Sequence, residues 1–163
     1  MPARSPKKTQ AVRLLESKGI THRVTVYDDA GEFHTGEEAA ALVGAPVEAV
    51  YKTLVVLREP PGGRPLLVIV PVGAQANLKA LASARGEKRL RMATQKEAEK
   101  LTGMQVGGIS ALAVTEGRFD VLIGETARSL EMIHVSAGAR GVDIELAVAD
   151  LVRLTKASYT TAT

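Results

Sequence analysis

The sequence predicts an α+β fold, a single domain in which short helices are interleaved with strands. Three observations predict it. Helix-capping signals alternate along the chain with short β-branched apolar runs. The two strongest runs, Val50 to Leu57 and Leu66 to Val72, are separated only by a loop rich in Pro and Gly, as in a hairpin. No internal repeat and no long linker divides the chain, and 163 residues suffice for one core that buries about 70% of the unfolded surface. Residues 1–163 are therefore expected to form one domain, with 1–4 and 156–163 fraying.

The elements follow in order. Ser5 and Pro6 can start a first helix that carries Val12, Leu14 and Leu15 inward and stops before Gly19. Val24 to Tyr27 reads as a strand. Thr35-Gly-Glu-Glu38 is a capping box for a helix that runs to Val43 and ends at Gly44. Pro46 delays the next element, and the hairpin of Val50 to Leu57 with Leu66 to Val72 follows. Asn77 can cap a short helix through Leu81, and Lys88 to Met92 reads as a brief strand. Thr94-Gln-Lys-Glu97 repeats the capping box for a helix ending near Leu101, before Gly103. Ala111 to Val114, Phe119 to Ile123, Met132 to Val135 and Val142 to Glu145 read as further strands, and Leu146 to Leu154 as a closing helix. The polar tail from Thr155 to Thr163 is expected to fray.

Composition excludes several chemistries. The chain has no cysteine, which removes a Cys nucleophile, a thiolate zinc site and an iron–sulfur cluster. His22, His34 and His134 have no close ligand spacing, so no metal is expected. No Gly-x-Ser-x-Gly elbow and no phosphate loop occurs. The start carries no signal-peptide pattern and no run approaches the ~18 apolar residues of a membrane helix, so a soluble intracellular protein is expected. Twenty-one Lys plus Arg against eighteen Asp plus Glu leave +3, too mild an excess to argue for nucleic acid alone. The cations do gather, at Arg4, Lys7, Lys8 and Arg13 and again at Lys79, Arg85, Lys88, Arg89 and Arg91, as a phosphate backbone or a solvated helix face would have them. Two Phe, three Tyr and no Trp argue against a base-stacking platform.

Lys52 is the residue that does not fit its element. Alternation in its strand puts Val50, Lys52, Leu54 and Val56 on one face, and an unpaired ammonium among apolar neighbours costs several kcal/mol unless water or a partner meets it. An edge lysine that reaches solvent is the bland alternative. Two loops offer it company. Gly103-Met-Gln-Val-Gly107-Gly108-Ile-Ser110 places paired glycines between a helix and a strand, where backbone amides can approach an anion or an oxyanion, or simply make a tight turn. Val135-Ser136-Ala-Gly138-Ala-Arg140-Gly141-Val-Asp143-Ile-Glu145 sets a hydroxyl, an arginine and two acids between apolar strand residues, the composition of a ligand-binding loop.

Thr9-Gln-Ala-Val-Arg-Leu-Leu-Glu16, Val50-Tyr51-Lys52-Thr53-Leu54, Thr102-Gly103, Gly107-Gly108-Ile109-Ser110 and Val135-Ser136 through Asp143-Ile144-Glu145-Leu146, in this order and spacing, resemble the YbaK/EbsC family of free-standing aminoacyl-tRNA deacylases, and within it the bacterial Cys-tRNA(Pro) deacylases. The resemblance covers nearly the whole chain. It implies a mixed β-sheet curled into a barrel-like core with flanking helices, shared with the editing domain of bacterial prolyl-tRNA synthetases. It implies trans-editing, cleavage of the ester of a mischarged aminoacyl-tRNA in the cytoplasm, with Cys-tRNA(Pro) or a related small amino acid on tRNA(Pro) as the substrate and no cofactor. Aminoacyl-tRNA is the implied partner and prolyl-tRNA synthetase a candidate second one, with no role for DNA or a membrane.

By the same resemblance the essential lysine is Lys52 and the glycine loop is Gly107 and Gly108, whose amides would orient the ester carbonyl. Tyr27, Ser110, Ser136 and Asp143 would contact substrate. Lys52 would hold the ester end or terminal phosphate, and the attacker would be the substrate's own thiol, closing a thiolactone, or water. The sequence departs from the family at Ala111, where the glycine loop usually reads Gly-x-x-x-Pro, and at Leu112-Ala-Val-Thr-Glu-Gly117, which replaces a basic stretch. A proline would stiffen that loop, so alanine leaves open a binding module that holds aminoacyl-tRNA without turnover. A Schiff-base lysine enzyme is the third class, because apolar surroundings favour a neutral lysine.

Overall fold

The computed structural model describes residues 8–114 and 116–163. The helices are α1 (Gln10–Ser17), α2 (Gly36–Val43), α3 (Leu78–Arg85), α4 (Gln95–Thr102) and α5 (Val148–Thr155). The strands are β1 (His22–Val26), β2 (Tyr51–Glu59), β3 (Leu66–Pro71), β4 (Arg89–Met92), β5 (Asp120–Gly124), β6 (Met132–Ser136), β7 (Val142–Ala147) and β8 (Ser158–Thr160).

Local chemistry accounts for most boundaries. Thr35 and Thr94 each accept the N–H of the residue three positions on, Glu38 and Glu97, and Gly44 and Gly103 end those helices in the left-handed conformation. The capping box is complete only at Thr94, where the Glu97 carboxylate also accepts the Thr94 N–H at 2.9 Å. Asn77 caps α3, which runs past the expected Leu81 to Arg85 because Ala82 is also buried and Gly86 supplies the left-handed stop. Thr9 caps α1 and Gly19 follows it, while Ser5, Pro6 and the expected N-terminal cations up to Lys7 lie outside the described residues.

The strands form two sheets, β1-β7-β6 and β4-β2-β3-β5-β8, the second mixed because β3, β5 and β8 run parallel. The β2–β3 hairpin forms as expected. The sheet is curled but not closed into a barrel: a parallel bridge between Val50 and His134 joins the two sheets at the start of β2. Alternation gives both sheets one shared apolar face. Tyr51, Val55, Leu67, Ile69, Val121 and Ile123 from one sheet meet Ile133, Val135, Ile144 and Leu146 from the other, with α1, α4 and α5 closing this main core. Behind the larger sheet, Val56, Leu66, Val68, Val70 and Leu122 pack on Leu81 and Ala82 of α3. That double burial explains why β3 is apolar at every position from Leu66 to Val70.

Three expectations fail. Ala111 to Val114 is not a strand: Ala111–Ala113 is a 3₁₀ turn whose start is capped by Ser110, with Ala111 and Leu112 buried in the main core. A four-residue apolar run reads alike as buried strand or buried turn. Leu146 belongs to β7 rather than to the closing helix, since it is fully buried between partners on β1 and β6. The tail does not fray: β8 pairs with β5, Thr160 and Ala162 are buried, and the Ala162 carbonyl accepts the Asn77 N–H at 2.8 Å.

Candidate active site

The face opposite the main core carries the polar residues. On the smaller sheet, register places Arg23, Glu145 and His134 in one cross-strand row and Thr25, Asp143 and Ser136 in the next. On the larger sheet the same face carries Val50, Lys52 and Leu54, and the Val50–His134 bridge brings the two polar sections side by side. Lys52 occupies a break between apolar groups. Val50 on one side packs with Ala40 of α2 and Val72, and Leu54 on the other packs into the cluster under α3.

The segment from Tyr27 to Gly36 lies against this face and, with Val55, Ile109 and Val135 from the edge of the main core, encloses a cleft. Tyr27 and Asp28 both donate their N–H to the Gly141 carbonyl, at 2.8 and 3.2 Å. The Asp28 carboxylate accepts the Ala30 and Glu32 N–H groups and meets His34 Nε2 at 2.7 Å. That contact and its charge hold Asp28 below the usual carboxylate range and raise His34 above the ordinary imidazole value. At the start of α2, Gly36 lies so near Val72 that a Cβ would come within 2.5 Å of its side chain.

The resulting cleft has a volume of about 400 Å³ and takes its walls from Lys52, Tyr27, Ser136, Asp143 and Gly107, with Phe33, His34, Met92 and Ile109 around them. Five of the seven site residues named from the sequence thus converge. No carboxylate among the described residues pairs with Lys52. The wall's own acid, Asp143, is taken by His134, whose Nδ1 lies 2.8 Å from Asp143 Oδ2. Burial pushes the Asp143 carboxyl up, opposed by His134, and burial likewise raises the Tyr27 phenol.

The other two residues, Gly108 and Ser110, support the site from behind. Gly108 does not line the cleft. Its N–H donates to the Gln105 carbonyl at 2.8 Å, and a Cβ on it would meet Arg140 N at 2.6 Å, so this glycine permits close packing rather than presenting an amide. Ser110 is 1% exposed, does not line the cleft, and its hydroxyl accepts the Leu112 N–H as a turn cap. Gly107 differs. It has φ +93°, faces the cleft, and its N–H has no acceptor among the described residues. The loop is held without proline at Ala111: Glu99 accepts the Val106 N–H at 2.9 Å and Arg140 Nε donates to the Val106 carbonyl at 2.8 Å.

Sequence reasoning missed His134, His34 and Phe33. His134 carries two carboxylates, Asp143 and, at Nε2, Glu145 at 3.0 Å. The two acids sit on opposite ring nitrogens, so the three do not converge on one point, and no group of His, Asp and Glu among the described residues is arranged to hold a metal ion. No helix among them is long and apolar enough to cross a membrane.

Comparison with known proteins bears on this geometry. A family model described as aminoacyl-tRNA editing domain matches residues 30–154. A candidate Cys-tRNA(Pro)/Cys-tRNA(Cys) deacylase of Enterococcus faecalis, EbsC, is 30% identical over 156 residues, covering 96% of this chain and 93% of that protein. Among solved structures, a candidate trans-editing enzyme for prolyl tRNA synthetase superposes with TM-score 0.82 at 23% identity over 99% of both chains. The hypothetical protein APE2540 does so with TM-score 0.81 at 24% identity, over 94% of this chain and 98% of its own. At these identities the superpositions speak for the fold.

Proposed function

Because this chain belongs to the aminoacyl-tRNA editing domain family, we propose that it is a trans-editing deacylase, which hydrolyses the ester between a wrong amino acid and the terminal ribose of a tRNA. The observation that carries the reading is the meeting in one cleft of Lys52 and the Gly107 amide, neither of which has a partner among the described residues. An ester of this kind is activated already. Its cleavage needs a placed attacker and a stabilised carbonyl charge more than a protein nucleophile. Lys52 supplies a fixed cation for the terminal phosphate or the ester end. The Gly107 N–H meets the charge that develops on the carbonyl oxygen, while Tyr27, Ser136 and Asp143 hold the amino acid. The attacker is the thiol of a cysteinyl ester, closing a thiolactone, or water for an alanyl-type ester.

The substrate we favour is Cys-tRNA(Pro) or a related small amino acid on tRNA(Pro), with prolyl-tRNA synthetase as a partner and the cytoplasm as the compartment. EbsC is named for cysteine on tRNA(Pro) and tRNA(Cys), and the structural neighbour for prolyl-tRNA trans-editing. A binding module without turnover would follow from a glycine loop loosened by Ala111, and the Glu99 and Arg140 bonds to Val106 argue against it. The test is deacylation of Cys-, Ala- and Ser-tRNA(Pro) by wild type and by Lys52→Ala. We expect cleavage of at least one ester by wild type, a loss on the order of 100-fold or more in the variant, as for removal of one preorganised donor, and an unchanged melting profile. Binding of all three tRNAs with no ester cleavage under excess enzyme would overturn the reading.

A further inference from the structure

We infer that His134 is a positioning residue for Asp143: clamped between Asp143 and Glu145, it fixes the Asp143 carboxylate as an anion in the cleft wall, where that carboxylate receives the α-ammonium of the esterified amino acid. The inference rests on the editing reading for its substrate, but the clamp itself is a property of the free protein.

Asp143 Oδ2 stands 2.8 Å from Nδ1 and Glu145 Oε2 stands 3.0 Å from Nε2. An ionised carboxylate can only accept a hydrogen bond, and a neutral imidazole has one N–H. The Nδ1 contact is a hydrogen bond and the Nε2 contact a close ion-pair approach, and a ring held between two ionised carboxylates at these distances is favoured as the imidazolium. The side chains of His134 and Asp143 are 12% and 7% exposed, so their contact is largely shielded from water, whereas Glu145 at 31% is partly solvated.

The backbone makes the clamp rigid. His134 and Glu145 are cross-strand partners on β6 and β7, Ser136 and Asp143 are the next pair, and the Val50 bridge pins His134 from the other side. Burial pushes the Asp143 carboxyl up, in the direction of its neutral form, and the hydrogen bond from His134 is the main influence against it. The other ionisable groups around this cleft are Arg23 of β1, in register with Glu145, Tyr27 beyond the end of β1, Lys52 of β2, and His34, which is paired with Asp28. A neutral carboxyl would lose most of its attraction for an ammonium group; the clamp keeps the charge where a substrate amine must sit.

The sign follows. Asp143 contributes as an anion, so removing His134 moves its titration upward and the acid limb of activity with it. For each pH unit of that shift, turnover efficiency on the acid side falls about tenfold.

The experiment has two arms. In the first, the ring of His134 is titrated by NMR in the free protein, as wild type and as Glu145→Gln and Asp143→Asn. We expect an imidazolium that persists well above the ordinary value of about 6.5 in wild type and deprotonates earlier in both variants. A wild-type ring that titrates like a free imidazole overturns the inference. The second arm compares pH profiles of kcat/KM for wild type, His134→Leu and His134→Gln on the ester that wild type cleaves best. The leucine variant should show an acid limb at higher pH and a raised KM, with kcat less affected, and glutamine, which keeps one N–H, should restore part of the shift. Profiles and KM values identical to wild type overturn the inference while leaving editing intact. If wild type cleaves no ester, the editing reading fails and the ring titration still decides the clamp.

Discussion

Gly107 and Phe33 are in close contact: a Cβ on Gly107 would lie 3.0 Å from the Phe33 ring, which would have to give way to admit it. The same ring has the Arg140 guanidinium 5.4 Å from its centre, and Arg140 holds the Val106 carbonyl just before Gly107. The glycine loop and the segment that crosses the cleft are thus positioned against each other. Gly107→Ala should strain a backbone at φ +93°, at about 1–3 kcal/mol, and push the amide or the ring aside. We expect deacylation to fall roughly a hundredfold, the effect of a misplacement near 1 Å, while the protein still melts cooperatively. Wild-type turnover in this variant would remove Gly107 from the chemistry.

Acid should weaken the segment that supports Met92 at the cleft rim. Glu97 accepts both Arg91 guanidinium nitrogens at 2.8 Å and the Thr94 N–H at 2.9 Å, which lower its carboxyl to about 2. A folded-state value below the unfolded one means that the contribution is complete above about 4.5 and is lost as pH falls from there toward 2. Melting temperatures of wild type and Glu97→Gln should therefore differ near neutrality and converge on acidification. A constant difference across that window would show that the charge of Glu97 does not matter to stability.

The C-terminal strand should be needed for the fold. Tyr159 lies under the Arg128 guanidinium at 4.0 Å, Thr160 pairs with Gly124, and Ala162 accepts from the residue that caps α3. A chain ending at Ala157 would expose β5 as a free edge and lose burial on the order of 2 kcal/mol. The urea midpoint should drop and light scattering on refolding should rise. An unchanged midpoint would return the tail to the status its polar composition suggested.

That tail shows where the sequence was hard to read. Ser158, Thr160 and Thr161 are polar, and only the tertiary position of β5 turns three of the last residues into a strand. The Thr94–Glu97 box and the Gly44 and Gly103 stops were legible because their chemistry is local. Lys52 was legible as a conflict between charge and pattern, and its neighbours Val50 and Leu54 are apolar as alternation required. Gly107 and Gly108 looked equivalent in sequence, and only the bond from Gly108 to Gln105 separates them. His134 was missed because ligand spacing was sought along the chain. The signal lay across the hairpin: the short loop between Ser136 and Val142 places His134 opposite Glu145 and one pair from Asp143.

Gly141 ties that hairpin to the cleft's outer wall. Its carbonyl accepts both Tyr27 and Asp28 N–H groups, its φ is +84°, and a Cβ on it would overlap the Asp28 carbonyl. Gly141→Ala must either move Asp28 or unwind the turn, beyond the 1–3 kcal/mol or so of the left-handed backbone itself. Moving Asp28 also breaks its contacts with Ala30, Glu32 and His34, and with them the path of the segment that carries Tyr27 and Phe33. The stability loss should therefore come with a raised KM for the tRNA ester. Gly31→Ala is the control: it has similar backbone strain at φ +69° but an open surrounding, with only the Arg140 carbonyl at 4.0 Å. It should destabilise with far less effect on KM. Equal KM values in the two variants would mean that the Gly141 contact shapes the fold and not the cleft.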